Sequence, residues 1–132
     1  MSDAPDLTDL QLAVLRVLWE RGEATVQEIH AGLLDERGLA PTTVATLLTR
    51  LERRGVVSRR ADGRVHRYRA RVTEPEVRRS MVGGLASRLF GGDVAAMVSH
   101  LLGGEHVGAD DLERIRALVE KRERELKEGH DG

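Results

Sequence analysis

The sequence predicts a mainly α protein with a small β-hairpin: a winged helix-turn-helix over residues 1–72, then a region of three helices over residues 73–132. Three observations carry that prediction. Behind Pro41, Val44, Leu47, Leu48 and Leu51 recur at i, i+3, i+4 and i+7, the spacing of one buried stripe on a helix over 41–54. Two short runs rich in Val, Tyr and Arg, 56–60 and 64–70, flank Asp62-Gly63. Asp-Gly between such runs favours a two-residue type I′ hairpin turn, because both central residues need positive φ. From Thr73 onward the helical period returns and is broken only at glycines.

In chain order, a polar lead precedes Thr8, which caps a first helix running to about Arg21, with Asp9 in its first turn and Gly22 just past its end. Leu10, Val14, Val17 and Leu18 form one face, which Leu7, Leu15 and Trp19 widen, so this helix needs neighbours on two sides. Trp19 within that stripe reads as core. Thr25 and Glu28 make a capping box opening a second helix with Val26, Ile29 and Leu33 as its stripe, ending near Gly38. His30 has no metal-spaced partner and reads as a packing or surface histidine. Pro41 suits the first turn of the third helix, where its missing N–H does no harm, and Gly55 suits the position after its end. A two-residue turn at Asp62-Gly63 would pair Val57 with Tyr68 in one apolar patch, with Arg59, Arg60, Arg64 and Arg67 toward the tip.

A second capping box, Thr73 with Glu76, opens a fourth helix whose stripe is Val77, Met81, Leu85 and Leu89, with Val82 and Phe90 beside it. Gly91-Gly92 ends it. A fifth helix from Asp93 to Leu102 carries Val94, Met97, Val98, Leu101 and Leu102. The last, from about Asp110 to Lys127, sets Leu112, Ile115, Leu118, Val119 and Leu126 on one side. Its other side offers Glu120/Arg124, Lys121/Glu125 and Glu123/Lys127 pairs at i, i+4. About 60 residues in three such helices are too few to bury their own apolar faces. A second copy of the chain is the expected partner, through Val77, Met81, Leu85, Leu89, Phe90, Val94, Met97, Val98, Leu101, Leu102, Leu112, Ile115 and Val119.

Charge locates a second partner. Residues 1–40 carry a net −5, residues 41–72 a net +7 and residues 73–132 a net −3, so the near-neutral total of −1 conceals one basic segment. Solvation by arginine alone is the plainer reading, since 19 of the 21 basic residues are Arg. The third helix argues against it: opposite its buried stripe lie Thr42, Thr46, Thr49 and Arg53, flanked by Thr43 and Arg50. Small hydroxylated side chains and arginines suit close approach to a polyanion better than the mixed Glu/Lys face of a merely solvated helix. With Arg59, Arg60, Arg64 and Arg67 of the wing, these residues predict an interface for double-stranded DNA, with the third helix in the major groove. The absence of cysteine excludes disulfides and thiolate metal sites, and no apolar run approaches the ~18 residues of a membrane span. A cytoplasmic protein with no cofactor follows as the expectation. No phosphate loop or nucleophile elbow is present, so enzymatic activity is not expected.

LQLAVLRVLW, TVQEIH, PTTVATLLTRLERRGVV and GRVHRYRARV, in that order, resemble the penicillinase repressor family of the BlaI, MecI and CopY type over nearly the whole chain. The resemblance implies a homodimeric transcriptional repressor on a dyad-symmetric operator, with interlocking C-terminal helices. It also implies groove-reading positions at Thr42, Thr43, Thr46 and Arg50 and wing positions at Arg60 and Arg64. The copper-sensing branch uses C-terminal cysteine pairs, which this chain lacks. The beta-lactam branch is cut by a sensor protease at an Asn-Phe pair. His100-Leu101 is the nearest position here, which leaves a sensor protease open as a partner. Two other readings stay open: a ligand- or metal-sensing winged-helix regulator of another family, with His100 and His106, six apart and split by glycines, as the candidate metal pair, and a winged-helix protein–protein adaptor.

Overall fold

The computed structural model describes residues 7–131, with the side chains of 34–37 and 130–131 left aside; the polar lead 1–6 lies outside the described residues. The chain divides into two units, Met1–Leu85 and Ala86–Gly132. The division falls inside a helix.

The first unit contains α1 (Asp9–Arg21), β1 (Ala24–Thr25), α2 (Val26–Arg37), α3 (Pro41–Arg53), β2 (Val57–Asp62), β3 (Val65–Ala70) and the first turns of α4 (Glu74–Phe90). Both predicted caps at its start form. Thr8 accepts from the Gln11 N–H at 3.1 Å while Gln11 accepts from the Thr8 N–H at 3.0 Å. Thr25 and Glu28 do the same for α2, at 3.2 and 2.8 Å. Each box satisfies two backbone donors that a helix start otherwise leaves open. α3 starts on Pro41 with no side-chain cap from Ala40 and ends at Arg53; the glycine after its cap, Gly55, has φ 77°.

The core is aliphatic, as three aromatics in the chain require. Val14, Leu15 and Leu18 of α1, Ile29 and Leu33 of α2, and Val44, Leu48 and Leu51 of α3 are all buried. Val56, Val57 and Tyr68 close the layer from the hairpin. Trp19 packs against this cluster and its indole N–H donates to the Val72 carbonyl at 2.9 Å, tying α1 to the chain leaving the wing. His30 donates through Nε2 to the Leu39 carbonyl, bridging α2 and the turn into α3. α2 lies so close to α1 that a Cβ on Gly32 would meet Val17 Cγ2 at 3.1 Å.

The sheet differs from expectation in two ways. It has three strands in the order β1-β3-β2, because Ala24 and Thr25 pair with Tyr68 and Arg67. The hairpin register is also two residues away from the expected one: Val57 pairs with Ala70 and Asp62 with Val65, so the turn is Gly63-Arg64. Gly63 has φ 65°, and no non-glycine residue among those described has positive φ. This is the II′ pattern, with glycine at the first central position, in place of the I′ pattern at Asp62-Gly63. A slip of two keeps every side chain on its face, so Val57 and Tyr68 still share the buried side, as diagonal neighbours. Gly63→Ala should cost about 1 kcal/mol by forcing a side chain into the left-handed region, read as a lower midpoint in denaturant with an unchanged slope.

The second unit holds the end of α4, α5 (Val94–Leu102) and α6 (Ala109–Asp131). Asp93 caps α5 by accepting from the Ala96 N–H at 3.0 Å, and Gly91 and Gly92, with φ 59° and 86°, turn the chain between α4 and α5. Phe90 and His100 bring their rings to 6.0 Å across that turn. On α6, the ion pair among the described residues is Arg122–Glu125 at i, i+3 and 3.6 Å, in place of the expected i, i+4 pairs. Exposed pairs of either spacing contribute little to stability. No single helix among the described residues is long and apolar enough to cross a membrane.

Candidate nucleic-acid interface

α3 divides as its period predicts. Val44, Leu47, Leu48 and Leu51 are buried, and Thr42, Thr43, Thr46, Thr49, Arg50 and Arg53 are all exposed. Thr46 donates its hydroxyl to the Thr42 carbonyl and Thr49 donates to the Ala45 carbonyl, each at 3.0 Å. The hydroxyl protons are therefore engaged with the helix itself. What these threonines offer outward is a methyl group and an oxygen that accepts, a finer description than a generic hydroxylated face.

The wing arginines are arranged differently from the sequence expectation. Arg60 and Arg67 stand directly opposite each other across β2 and β3, in the last row where β1 still pairs, so they mark the point where the two-stranded end of the hairpin leaves the three-stranded sheet. Each has carboxylate partners. Arg60 donates through both Nε and Nη2 to Glu23, each at 2.8 Å. Arg67 Nε donates to Asp62 at 2.6 Å, and its Nη1 lies 3.5 Å from Glu28, which also takes Arg21 at 3.2 Å. Arg59 is 3.3 Å from Glu52 of α3. Arg64 occupies the turn itself, exposed; among the described residues no ion pair is formed by Arg64, Arg50 or Arg53. The pairing of Arg60 was invisible in the spacing because Glu23 lies 37 residues before it.

The hydrogen bond from Arg60 holds the Glu23 carboxyl below its usual range and raises the Arg60 guanidinium. Arg67 does the same to Asp62, while the Thr25 N–H is the first cause lowering Glu28. A carboxylate with a depressed folded-state pKa contributes stability above its unfolded value, about pH 4, and loses it as pH falls through the folded value. The wing should therefore be insensitive to pH between 6 and 8 and loosen only below about pH 4. Amide exchange at 57–70 followed across pH 3 to 7, corrected for intrinsic rates, reads this.

The residues expected to meet a second copy do not all share one surface. Val77 is 2% exposed and lies in the core of the first unit, with Met81 packed against it. Val77 is thus buried by its own chain and has no surface for a partner. Leu85, Leu89, Val94, Val98, Leu101, Leu102, Leu112 and Val119 are exposed, and Phe90, Met97 and Ile115 are half-buried. α5 buries no residue at all.

The chain matches the family model described as penicillinase repressor over residues 7–121. It is 37% identical to the transcriptional regulator BlaI of Mycobacterium tuberculosis, over 98% of this chain and 91% of that protein. It is 23% identical to the penicillinase repressor of Bacillus licheniformis, over 97% and 100%. Among solved structures, the DNA-binding domain of the repressor BlaI superposes with a TM-score of 0.51 at 28% identity, covering 58% of this chain and 93% of that one.

Proposed function

The chain belongs to the penicillinase repressor family, and from that premise we propose how it acts as a DNA-binding transcriptional repressor, a regulator and not an enzyme. It binds a dyad-symmetric operator as a homodimer, with α3 of each copy in the major groove and the turn at Gly63-Arg64 alongside the phosphate backbone. The observation that carries this reading is the division of α3: an entirely buried aliphatic stripe opposite an exposed face of four threonines and two arginines. A protein–protein adaptor would need an acidic or apolar outer face there. A cytoplasmic location, where operator DNA is reached, is the one that fits this reading. The second copy is supported by the aliphatic side chains of α4 after Leu85, α5 and α6 that stay exposed to solvent, among them Leu89, Val94, Leu101, Leu118 and Leu126.

Within this reading Thr43 and Thr46 contact base edges, while Arg50, Arg53 and Arg64 hold phosphates. Because the Thr46 hydroxyl proton is used within the helix, its methyl is the group that meets a base, most favourably the thymine methyl. Thr46→Val, which keeps the methyl, should preserve base preference. Thr46→Ser, which keeps the hydroxyl, should relax it at one or two base pairs by about 1–3 kcal/mol each. Arg64→Ala should weaken binding to all sequences alike. Titration of a base-substituted series built on a duplex enriched from a random pool tests the division. If Thr46→Ser retains full discrimination and Thr46→Val loses it, the contact runs through the hydroxyl and the assignment is wrong.

A further inference from the structure

We propose that Glu23 and Arg60 form a latch that fixes the angle of the wing, so that Arg60 is a positioning residue acting through the tip and not a phosphate contact. The proposal rests on the DNA-binding reading above and concerns how that interface is held.

Beyond the row that pairs Thr25 with Arg67, the wing is a two-stranded ribbon with no third strand to stiffen it. Two-stranded ribbons twist and bend readily. Arg60 and Arg67 face each other across that row, and like charges directly opposite on a sheet repel. The repulsion falls at the hinge of the free tip. It is offset because each guanidinium is held by carboxylates, two of which belong to the body of the domain: Glu23 from the turn between α1 and β1, and Glu28 from the first turn of α2. Glu23 takes the Nε–Nη2 edge of Arg60 in the two-point geometry that fixes direction as well as distance. Both strands are thereby tied to the body where the two-stranded end of the wing begins, and a third tie, Arg59 to Glu52, joins β2 to α3. The exposed turn residue Arg64 is then carried at a set position relative to the exposed face of α3.

An exposed ion pair adds little to overall stability, so the latch should show in DNA binding while leaving the melting temperature nearly unchanged. To act on phosphate, Arg60 would have to give up Glu23. Reversing one charge sets like charges against each other at the hinge, whereas reversing both restores the pair with its direction exchanged.

The test uses the full-length chain and a duplex that the wild-type protein enriches from a random-sequence pool. Glu23→Arg and Arg60→Glu should each weaken binding by about tenfold, and the double variant should recover to within about threefold of wild type, a coupling within the range seen for contacting pairs. Arg60→Gln should weaken binding while leaving the slope of log affinity against log salt unchanged, because no phosphate contact is lost. If the double variant binds no better than Arg60→Glu, or if Arg60→Gln makes the slope shallower by about 0.9 per lost contact, Arg60 touches phosphate and the latch is overturned. Failure of the wild-type chain to enrich any duplex would instead remove the DNA-binding reading itself.

Discussion

A chain ended after Leu85 should fold, sediment as a monomer and bind the operator at least 10²-fold more weakly than the full-length protein, while keeping its base preference. One winged helix covers half of a dyad operator. Joining two copies makes the second contact intramolecular, and the effective concentration gained in that way adds about 10²- to 10⁴-fold without a new contact to DNA. The cut belongs after Leu85 and not at the end of the wing, because Val77 is a core residue of the first unit and Trp19 is bonded to the Val72 carbonyl. Ending the chain at Arg71 removes both. The open Val77 site alone costs about 1.5–3 kcal/mol of burial, so that shorter chain should be folded less firmly than residues 1–85. Sedimentation of the full chain and of residues 1–85, each with and without a palindromic duplex, separates the cases: a full-length monomer would remove the homodimer, and a dimer of residues 1–85 would place the contact between copies in the first unit.

The three caps at Thr8, Thr25 and Thr73 and the stripe of α3 are local: the interacting residues lie three or four positions apart, and their chemistry is fixed by helix geometry. The faces of the hairpin were equally legible, because a strand alternates whatever its register. Its turn was not, since Asp62-Gly63 and Gly63-Arg64 are both acceptable hairpin loops and differ only in which cross-strand neighbours they create. β1 is two residues long, too short to show a period, and forms because β3 offers it an edge. Val77 announced itself as apolar on a helix stripe, but not whose core it would enter. The wing carboxylates are the clearest case. Glu23 reads as an ordinary surface residue of an acidic segment, and only the folding of β1 beside β3 brings it to Arg60.

That last point changes the expected response of binding to salt. Charge counting along residues 41–72 places Arg50, Arg53, Arg59, Arg60, Arg64 and Arg67 on one basic surface, which in a dimer would mean about twelve phosphate contacts and a log–log slope near −11 at about −0.9 for each. In the folded domain, Arg59, Arg60 and Arg67 are already neutralised by Glu52, Glu23, Asp62 and Glu28. A pair that stays closed releases no counterion from DNA. Arg50, Arg53 and Arg64 remain, which gives about six contacts for two copies and a slope near −5. Between 50 and 200 mM salt the operator affinity should then fall by about 10³-fold. Replacing Arg50, Arg53 and Arg64 together by Gln should remove most of the slope, because these three carry the phosphate contacts assigned to α3 and the turn. Titrations of the full-length chain and of this triple variant across that salt range decide the matter: a wild-type slope near −11, or a triple variant that keeps most of its salt dependence, would mean that the wing carboxylates let go when DNA arrives.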